Sequence, residues 1–245
     1  MTNLQGKLAL ITGGNSGIGY AAAKELIASG ARVIITGRRK DAVEKAAAEL
    51  GATGLVADQS DIAAIETLVA AVADKFGKPD ILVVNAGISK LTSIEAATEE
   101  LYDQVMDLNL KGAYFTLSRF IPILRNGASV ILISSSSAST SKPCTSVYAA
   151  SKAAINAVMK IAAVELAPRQ IRINCVSPGP FATEIMEKAG IADPQMQELI
   201  VAGVPMGRLG APEEAGRLIS FLASDEASFI TGAEYLIDGG QSINK

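Results

Sequence analysis

The stretch TGGNSGIG, Thr12–Gly19, joins an apolar run at residues 7–12 to an alanine-rich segment with helical periodicity. A turn this tight needs a residue that tolerates a positive φ angle, and Gly13 supplies one. Without a Cβ, Gly17 lets the backbone approach a bound phosphate, and Gly19 lets the helix pack closely on the strand. The start of the helix then offers free N–H groups and a positive dipole to that phosphate. Taken alone, the same glycines are also explained by a sharp strand-to-helix turn without any ligand.

Apolar runs alternate with segments of helical periodicity along the rest of the chain. The predicted strands are 7–12, 32–36, 53–57, 80–85, 129–133, 172–177 and 234–238. The predicted helices cover 16–30, 41–50, 61–77, 98–125, 147–167 and 212–223. Continuous apolar strands joined by helices are typical of a parallel sheet that is covered on both faces. The pattern predicts a single α/β domain over residues 1–245, a doubly wound Rossmann fold with about seven parallel strands.

Composition and charge argue against several kinds of partner. The chain has 245 residues, 49% of them hydrophobic, and a formal net charge of −3. Neither a disordered chain nor a basic surface for nucleic acid is indicated. No apolar stretch approaches the ~18 residues of a membrane span, and the N-terminal sequence lacks the layout of a signal peptide. We therefore expect a soluble, cytoplasmic protein that binds neither nucleic acid nor membranes.

The chain contains no histidine, which narrows its chemistry. Ser-His-Asp triads, Cys-His pairs and His-containing zinc sites are excluded. The two cysteines, Cys144 and Cys175, are too few for an all-Cys zinc site, so no metal site is expected. We interpret both cysteines as small apolar fillers. Proton transfer must then use Tyr, Lys, Asp, Glu, Cys or water.

The pentapeptide YAASK, Tyr148–Lys152, offers such groups. Its phenol and ammonium are four residues apart and share one face of the predicted helix 147–167. A free phenol has a pKa of ~10, and a nearby ammonium lowers that pKa because it favours the phenolate. A Tyr–Lys pair can therefore do the acid–base work that usually falls to histidine. The alternative is an ordinary amphipathic helix with a half-buried tyrosine and an exposed lysine.

A serine-rich run, SSSSASTS at 134–141, follows the fifth predicted strand. Ligands of a doubly wound sheet bind at the carboxyl ends of its strands, so a hydroxyl group here can donate to a substrate oxygen. The residues alone do not choose among Ser134, Ser135, Ser136 and Ser137.

Several motifs, in this order, resemble those of the short-chain dehydrogenases/reductases. The resemblance runs the full length of the chain and rests on the glycine turn, NAG (85–87), MDLNLKG with Asn109, the serine run, YAASK, PGPFAT (178–183) and TGAEYLIDGG (231–240). One departure is Leu132, where many members carry Asn before the Ser-Ser pair, but it touches no catalytic role. The resemblance implies an NAD(P)-dependent enzyme that interconverts ketones or aldehydes and alcohols.

The resemblance also implies roles for individual residues. Ser135, rather than its neighbours, would polarise the substrate oxygen, and Tyr148 would donate the proton. Lys152 would tune Tyr148 and hold the nicotinamide ribose. Asn109 would hold a water that relays protons to Lys152, although it could equally bond locally within its helix. The residues assigned to the cofactor are Gly13, Asn15, Ser16, Gly17, Ile18, Gly19, Arg38, Arg39, Asp58, Gln59, Asn85, Ala86, Gly87, Tyr148, Lys152, Pro178, Gly179 and Thr183.

The end of the second strand, ITGRRK, indicates which nicotinamide cofactor is bound. An acidic residue there holds the ribose 2′-hydroxyl of NAD, whereas an arginine accommodates the 2′-phosphate of NADP. Gly37 stands at the acidic position, and Arg38 follows with a guanidinium that can bind phosphate through two hydrogen bonds. Against this, Ser16 stands where some NADP-dependent relatives carry a second basic residue. The sequence predicts NADP(H) in preference to NAD(H), with Asp58 either contacting the adenine or acting only as a turn residue.

Residues 180–210 are rich in Pro, Gly and Met and are expected to form a lid over the substrate, or else a mobile surface loop. The apolar side chains of this segment suit an apolar or mixed carbonyl compound. Arg208 is a candidate for binding a phosphate or carboxylate group, and no role is assigned to it. Relatives assemble through the helices equivalent to 98–125 and 147–167, so we expect a homotetramer. The alternative functions are a nucleotide-sensing protein without turnover, a 3-oxoacyl thioester reductase, and a dehydratase or epimerase on the same fold.

Overall fold

The computed structural model describes residues 2–183 and 193–244. Within these ranges the strands are β1 Leu8–Thr12, β2 Arg32–Gly37, β3 Thr53–Val56, β4 Ile81–Val84, β5 Ser129–Ile133, β6 Arg172–Pro178 and β7 Glu234–Ile237. They form one seven-stranded sheet in the order β3-β2-β1-β4-β5-β6-β7, and every pairing is parallel. The predicted strands and the doubly wound Rossmann architecture are confirmed.

Helices cover both faces of the sheet. In the described part of the chain they are α1 Gly17–Ala28, α2 Lys40–Leu50, α3 Ile62–Lys75, α4 Glu99–Met106, α5 Ala113–Phe120, α6 Ser146–Leu166, α7 Pro194–Ala202 and α8 Pro212–Ala223. Polar residues before three of them accept the cap hydrogen bond: Asp61 from the Ala63 N–H at α3, Thr98 from the Leu101 N–H at α4, and Asp193 from the Gln195 N–H at α7. Helix α7 lies in a region that the sequence analysis left irregular.

The inner strands β1, β4 and β5 are buried along their whole length and are largely apolar, because helices cover both faces of the sheet. Leu8 and Leu10 of β1 belong to a cluster with residues of α3, α5 and α6. Ala9 and Ile11 point the other way, into a cluster with residues of α1 and α8. Successive residues of a strand alternate between the two faces, so an inner strand between two helical layers favours apolar residues at successive positions. The edge strands β3 and β7 are less buried.

The helix predicted over 98–125 is wrong in its continuity. Helix α4 ends at Met106, and Asp107–Gly112 forms a π-helical segment before α5 begins. A π-helical turn pairs groups five residues apart rather than four and often occurs at functional sites. The shift by one residue scarcely alters the apolar pattern, so the sequence does not reveal it.

Helix α6 with the turn after it, Ser146–Arg169, is long and apolar enough to span a membrane by length and composition alone. Its buried residues, among them Ile155 and Met159, pack into the core over β5 and β6. The core helix of a globular protein passes the same test, so this helix carries no argument for a membrane.

The two cysteines differ in environment. Cys175 in β6 is fully buried, as expected of a filler. Cys144 is exposed and has a φ of +65°, so the same interpretation is wrong there. The main-chain oxygen of Cys144 accepts a 2.8 Å hydrogen bond from the Thr92 N–H, which ties the loop before α6 to the segment after β4.

The chain crosses from one half of the sheet to the other between β3 and β4, which puts β1 beside both β2 and β4. Loops that leave strands at such a switch point diverge and open a crevice at the carboxyl ends. Here the loops after β1 and β4 are tied together. The hydroxyl oxygen of Thr12 accepts hydrogen bonds from the N–H groups of Asn85 (3.0 Å) and Ala86 (3.1 Å).

Candidate active site

A cleft of about 570 Å³ opens at this switch point. Residues after β1, β2, β3, β4, β5 and β6 form its walls, and α6 contributes Tyr148 and Lys152. Nearly all of the residues assigned by resemblance line this one cleft. The two assigned residues that do not line the cleft are Gly19 and Asn109.

The glycine turn forms the end of the cleft at α1. Gly13 has a φ of +64°, as predicted, and Gly17 shares the left-handed conformation with a φ of +55°. Helix α1 begins at Gly17, its N-cap residue Ser16 makes no side-chain cap hydrogen bond, and its first turn carries no acidic residue. The N–H groups and the positive dipole of this helix start are therefore unopposed, and they fit a phosphate group.

Gly19 allows a close approach, as expected, and the contact includes a side chain as well as the main chain after β1. A Cβ on Gly19 would lie 2.5 Å from the Nδ2 atom of Asn85 and 2.5 Å from the main-chain oxygen of Gly13. The Asn85 amide donates to the main-chain oxygens of Thr12 (2.9 Å) and Gly13 (3.1 Å). Gly19 thus makes room both for the main chain at the end of β1 and for the side chain that fastens the turn to the loop after β4.

Two further glycines are equally constrained. A Cβ on Gly14 would lie 2.6 Å from Cγ2 of Ile35, and a Cβ on Gly37 would lie 2.5 Å from Oδ1 of Asn15. Gly37 therefore lets the side chain of Asn15 lie against the end of β2. The sequence argument for NADP uses Gly37 only as a missing acidic residue, although a glycine at the end of a strand also indicates close approach of another group.

Arg38 and Arg39 form a cationic wall at the end of the cleft beside β2. Both are exposed and line the cleft, and neither has an ion pair or side-chain hydrogen bond with another described residue. Lys40 lies outside the cleft, and its Nζ is 3.8 Å from Glu44. The two guanidinium groups are therefore available to an anionic ligand.

Asp58 and Gln59 follow β3 and behave differently. Oδ1 of Asp58 accepts hydrogen bonds from the N–H (2.9 Å) and the hydroxyl (2.7 Å) of Ser60, so Asp58 does stabilise the turn. Its contact with adenine stays a prediction. Gln59 is only 6% exposed. It touches the cleft but directs its amide nitrogen to the main-chain oxygens of Ala86 (3.0 Å) and Leu108 (3.2 Å).

Ser135, Tyr148 and Lys152 lie together at the other end of the cleft. Of the four candidate serines, Ser134 and Ser135 line the cleft. The hydroxyl of Ser134 donates to the main-chain oxygen of Lys152 (3.1 Å), so it already has a partner. The oxygen of Ser135 accepts from the Ser137 N–H (3.1 Å) and interacts with the Tyr148 phenol. The geometry thus favours the serine that the resemblance selects.

Lys152 is 5% exposed, which contradicts the alternative of an exposed lysine on an ordinary helix. Its ammonium donates to the main-chain oxygen of Ile133 (2.8 Å) and lies 5.9 Å from the centroid of the Tyr148 ring. Burial lowers the pKa of Lys152 to about 8. A buried lysine with a shifted pKa in a cleft is a mark of a functional site.

The expected direction of the Tyr148 pKa shift is wrong for this structure. Burial raises the pKa of the phenol above its ordinary value, and the hydrogen bond with Ser135 offsets that rise only in part. Burial disfavours the phenolate because a charged oxygen loses hydration. Tyr148 is therefore held as a protonated phenol at neutral pH, which is the form that can donate a proton.

Asn109 lies in the π-helical segment, behind the catalytic end, and is 1% exposed. Its Oδ1 accepts from the Ile88 N–H (2.9 Å), and its Nδ2 donates to the Ile88 main-chain oxygen (2.9 Å) and to the Ser151 hydroxyl (3.3 Å). Ser151 in turn donates to the main-chain oxygen of Tyr148 (2.7 Å). The side chain of Asn109 thus bonds to two segments that are distant in sequence, so the alternative of a local bond within its own helix is wrong. The relay water stays a prediction.

The segment after β6 closes the cleft. Pro178, Gly179 and Thr183 line it. A Cβ on Gly179 would lie 2.5 Å from Cβ of Asp238, so glycine allows this segment to pass close to the end of β7. Cγ2 of Thr183 lies 3.5 Å from the place of a Cβ on Gly17, which brings the segment against the glycine turn.

Residues 184–192 of the expected lid, with Ile185, Met186 and Ile191, lie outside the described residues. The segments before and after this range contact each other. Phe181 forms an isolated parallel bridge with Gly210, and its ring lies 2.8 Å from the place of a Cβ on that glycine.

Arg208, left unassigned by the sequence, is engaged in the fold. Its guanidinium donates to both carboxylate oxygens of Glu214 at 2.7 and 2.8 Å. Glu214 also accepts from the Ala211 N–H (2.8 Å) at the start of α8. The hydrogen bonds with Arg208 and Ala211 lower the pKa of Glu214 to about 2, so the pair is charged throughout the neutral range.

Further residues line the cleft that were not among the predicted site residues, among them Ile88, Ser89, Lys90, Ile133 and Pro180. Phe181, an apolar residue of the expected lid, lines it as well. Lys90 is exposed and donates a hydrogen bond to Gln104. Their position in the sequence could have identified three of these residues, because Ile88, Ser89 and Lys90 directly follow the NAG motif at the carboxyl end of β4.

One continuous cleft thus joins a glycine turn that fits a phosphate to the group formed by Ser135, Tyr148 and Lys152, and this arrangement is typical of an NAD(P)-dependent oxidoreductase. Comparison with known proteins agrees. The family model described as enoyl-(acyl carrier protein) reductase matches residues 13–242. The chain belongs to the short-chain dehydrogenase/reductase family.

Relatives match nearly end to end. L-rhamnose 1-dehydrogenase (NAD(P)(+)) of Azotobacter vinelandii is 38% identical over 250 residues, which cover 97% of each chain. The NADP-dependent (R)-specific alcohol dehydrogenase of Lentilactobacillus kefiri is 37% identical over 246 residues, again 97% of each chain. Among solved structures, the Pseudomonas aeruginosa RhlG/NADP active-site complex superposes with a TM-score of 0.93 at 33% identity and covers 98% of each chain.

Proposed function

We propose that the protein catalyses the NADPH-dependent reduction of a ketone or aldehyde to an alcohol, and the reverse reaction. The observation that carries this proposal is the placement of Lys152, 5% exposed, with its ammonium 5.9 Å from the Tyr148 ring at the end of a dinucleotide-sized cleft. Ser135 interacts with the same phenol. These are the groups that carbonyl reduction requires besides a hydride donor.

The chain's own residues polarise the carbonyl and supply the proton. A bound nicotinamide dinucleotide supplies the hydride. The Ser135 hydroxyl donates a hydrogen bond to the substrate oxygen and stabilises the charge that develops on it. Tyr148, protonated because burial raises its pKa, delivers its proton to that oxygen. The ammonium of Lys152 then stabilises the phenolate that remains.

Three groups of residues would hold the dinucleotide. The uncapped start of α1, from Gly17, fits the pyrophosphate. Lys152 lies where it can hold the nicotinamide ribose at the catalytic end. The guanidinium groups of Arg38 and Arg39, which have no ion pair with another described residue, fit the 2′-phosphate that distinguishes NADP from NAD. NADP is also named in the descriptions of the Lentilactobacillus kefiri relative and the Pseudomonas aeruginosa structure.

A nucleotide-sensing protein without turnover is the less favoured function. Burying a lysine at the 5% exposure of Lys152 opposes folding, because the ammonium loses hydration. A sensor that only binds the dinucleotide could use Lys152 for the ribose, but it has no need of a phenol and a serine hydroxyl beside that lysine. The placement of Tyr148 and Ser135 next to Lys152 therefore supports an enzyme.

The substrate contacts the part of the cleft formed by Ser89, Lys90 and Phe181. This lining combines an aromatic ring with a hydroxyl and an ammonium, and it suits a carbonyl compound with both apolar and polar parts. A simple ketone, a sugar and a 3-oxoacyl thioester all meet that description, as does a substrate of a dehydratase or epimerase on this fold.

The test is a panel of ketones, aldehydes, sugars and 3-oxoacyl thioesters, each assayed with NADPH and NADH in parallel by nicotinamide absorbance. The proposal predicts stoichiometric consumption of NADPH with at least one class, and slower consumption of NADH. Tight binding of NADPH without consumption by any carbonyl compound would favour the sensor.

We also propose a homotetramer. Exposed apolar side chains lie on the helices expected at its interfaces: Tyr102 on α4, Tyr114 on α5, and Ile161 and Val164 on α6. Sedimentation of the purified protein tests this state. The cytoplasmic location expected from the sequence stays a prediction.

A further inference from the structure

We infer that Gln59 is a positioning residue for the catalytic end, because it fixes the π-helical segment Asp107–Gly112, and with it Asn109, against the loop after β4. The resemblance assigned Gln59 to the cofactor. Its kinetic test rests on the proposed reductase function, and its structural test does not.

The side chain of Gln59 joins two separate segments. Its Nε2 donates to the main-chain oxygen of Ala86 (3.0 Å), in the loop after β4, and to that of Leu108 (3.2 Å), inside the π-helical segment. An amide nitrogen has two hydrogens, so both are used. Leucine or any other apolar side chain of this size would leave two carbonyl groups without that donor.

Asn109 joins the same two segments a second time. Its amide makes two 2.9 Å hydrogen bonds with the main chain of Ile88, two residues beyond Ala86. Asn109 itself directly follows Leu108, to which Gln59 donates. Gln59 and Asn109 therefore make neighbouring hydrogen bonds across one junction between the two segments. Without the Gln59 bonds, only the bonds of Asn109 with Ile88 would hold the junction together.

The main chain of Gln59 packs against the far end of the π-helical segment. A Cβ on Gly112 would overlap the main-chain oxygen of Gln59. The side-chain oxygen of Gln59 is buried and has no hydrogen-bond partner among the described residues. An unpaired buried oxygen opposes folding, so an apolar residue would be favoured here if packing alone decided. The two hydrogen bonds that Nε2 donates explain why a glutamine occupies this position.

The junction borders the proposed catalytic groups. A Cβ on Gly87, the residue after Ala86, would lie 3.1 Å from Oδ1 of Asn109 and 3.4 Å from Nζ of Lys152. On the other side, Nδ2 of Asn109 donates to Ser151, whose hydroxyl donates to the main-chain oxygen of Tyr148. A shift of the junction therefore moves the surroundings of Lys152 and Tyr148, and small displacements of such groups reduce turnover strongly.

The experiment compares Gln59→Leu with the control Ser129→Ala. Ser129 is also buried, and its hydroxyl also donates to a main-chain carbonyl, that of Leu222, but it lies at the opposite end of the sheet. We expect Gln59→Leu to lower kcat for carbonyl reduction about tenfold, with the Kd for NADPH changed less than about threefold. Ser129→Ala should lower Tm and leave kcat within about twofold of the wild type.

A second variant tests the donor directly. Gln59→Glu keeps the shape of the side chain, but its carboxylate only accepts hydrogen bonds. Burial raises the pKa of a carboxyl above ~4.3, so acidification restores one donor. We expect turnover of Gln59→Glu, relative to the wild type at the same pH, to rise several-fold between about pH 8 and pH 6. A constant ratio would count against the inference.

Hydrogen exchange separates this inference from the proposed function. In Gln59→Leu the amides of residues 86–88 and 107–112 should exchange at least about tenfold faster than in the wild type, whereas those of Ser129→Ala should not. This readout needs no substrate, so it stands even if no carbonyl compound is reduced. Unchanged exchange in these segments, or unchanged kcat with a lower Tm, overturns the inference.

Discussion

The ammonium nitrogen of Lys152 lies 5.9 Å from the centroid of the Tyr148 ring, and it donates its hydrogen bond to the main chain of Ile133. The lysine is thus close enough to stabilise a phenolate without being bonded to the phenol itself. Burial lowers the pKa of Lys152 to about 8 and raises that of Tyr148. Both shifts have the same main cause, the burial that removes water from the two groups.

The buried Lys152 makes stability depend on pH. Its pKa is about 8 in the folded protein, against ~10.4 in an unfolded chain. Between these values the unfolded state binds more protons, so folding becomes more favourable as the pH rises. We expect the wild type to gain about 2 kcal/mol relative to Lys152→Met between about pH 8 and pH 9.5. Urea unfolding of both proteins at the two pH values measures it. An equal difference at both would show that Lys152 keeps its ordinary pKa.

Two substitutions test the choice of Ser135 among the four adjacent serines at 134–137. Ser135→Ala removes the hydroxyl beside Tyr148 and should lower kcat about 100-fold, the usual effect of deleting a donor to a developing oxyanion. Ser137→Ala removes a hydroxyl that does not line the cleft, and it should leave kcat within about twofold. Steady-state kinetics with one substrate decides. Equal losses in both variants would remove Ser135 from its role.

Cofactor preference should follow Arg38. Arg38→Asp replaces a guanidinium that lines the cleft, and has no ion pair with another described residue, by a carboxylate that repels a 2′-phosphate. The ratio of kcat/KM for NADPH to that for NADH should fall by about 10- to 100-fold, since hydrogen bonds to charged groups contribute ~1.5–3 kcal/mol. Lys40→Ala, two residues further along the chain and outside the cleft, is the control and should leave the ratio unchanged. A ratio that is insensitive to Arg38→Asp would show that Arg38 does not bind the 2′-phosphate.

Gly19 should tolerate no side chain. In Gly19→Ala the added Cβ would displace the Asn85 amide from its contacts with Thr12 and Gly13. We expect affinity for NADPH to fall at least about tenfold, together with a loss of about 1–3 kcal/mol of stability. Gly203→Ala is the matched control, because Gly203 has right-handed backbone angles and the nearest atom to an added Cβ lies 3.4 Å away. Calorimetric titration with NADPH and thermal unfolding compare the two variants.

The sequence predicts the sheet because burial on both faces forces continuous apolar strands. The glycine turn and YAASK were also found in it, since a positive φ and an i,i+4 pair leave direct traces in residue type. Ser135 needed the family resemblance, because four adjacent serines offer the same hydroxyl.

Other features left no trace in residue type. The π-helical segment around Asn109 differs from an α-helix by one hydrogen-bond step, and DLNLKG fits both. The contact between Gly19 and Asn85 joins residues that are far apart in sequence. The pKa of Tyr148 was predicted from one neighbour, Lys152, whereas burial, which depends on the whole fold, decides its direction.

The central claim is that Tyr148 protonates the substrate oxygen, and Tyr148→Phe tests it most directly. The variant keeps the ring and its packing and removes only the hydroxyl. With a substrate from the panel, single-turnover oxidation of NADPH should slow about a thousandfold, as expected for loss of a general acid, while the Kd for NADPH stays within about threefold of the wild type. Near-normal turnover by Tyr148→Phe would contradict the account.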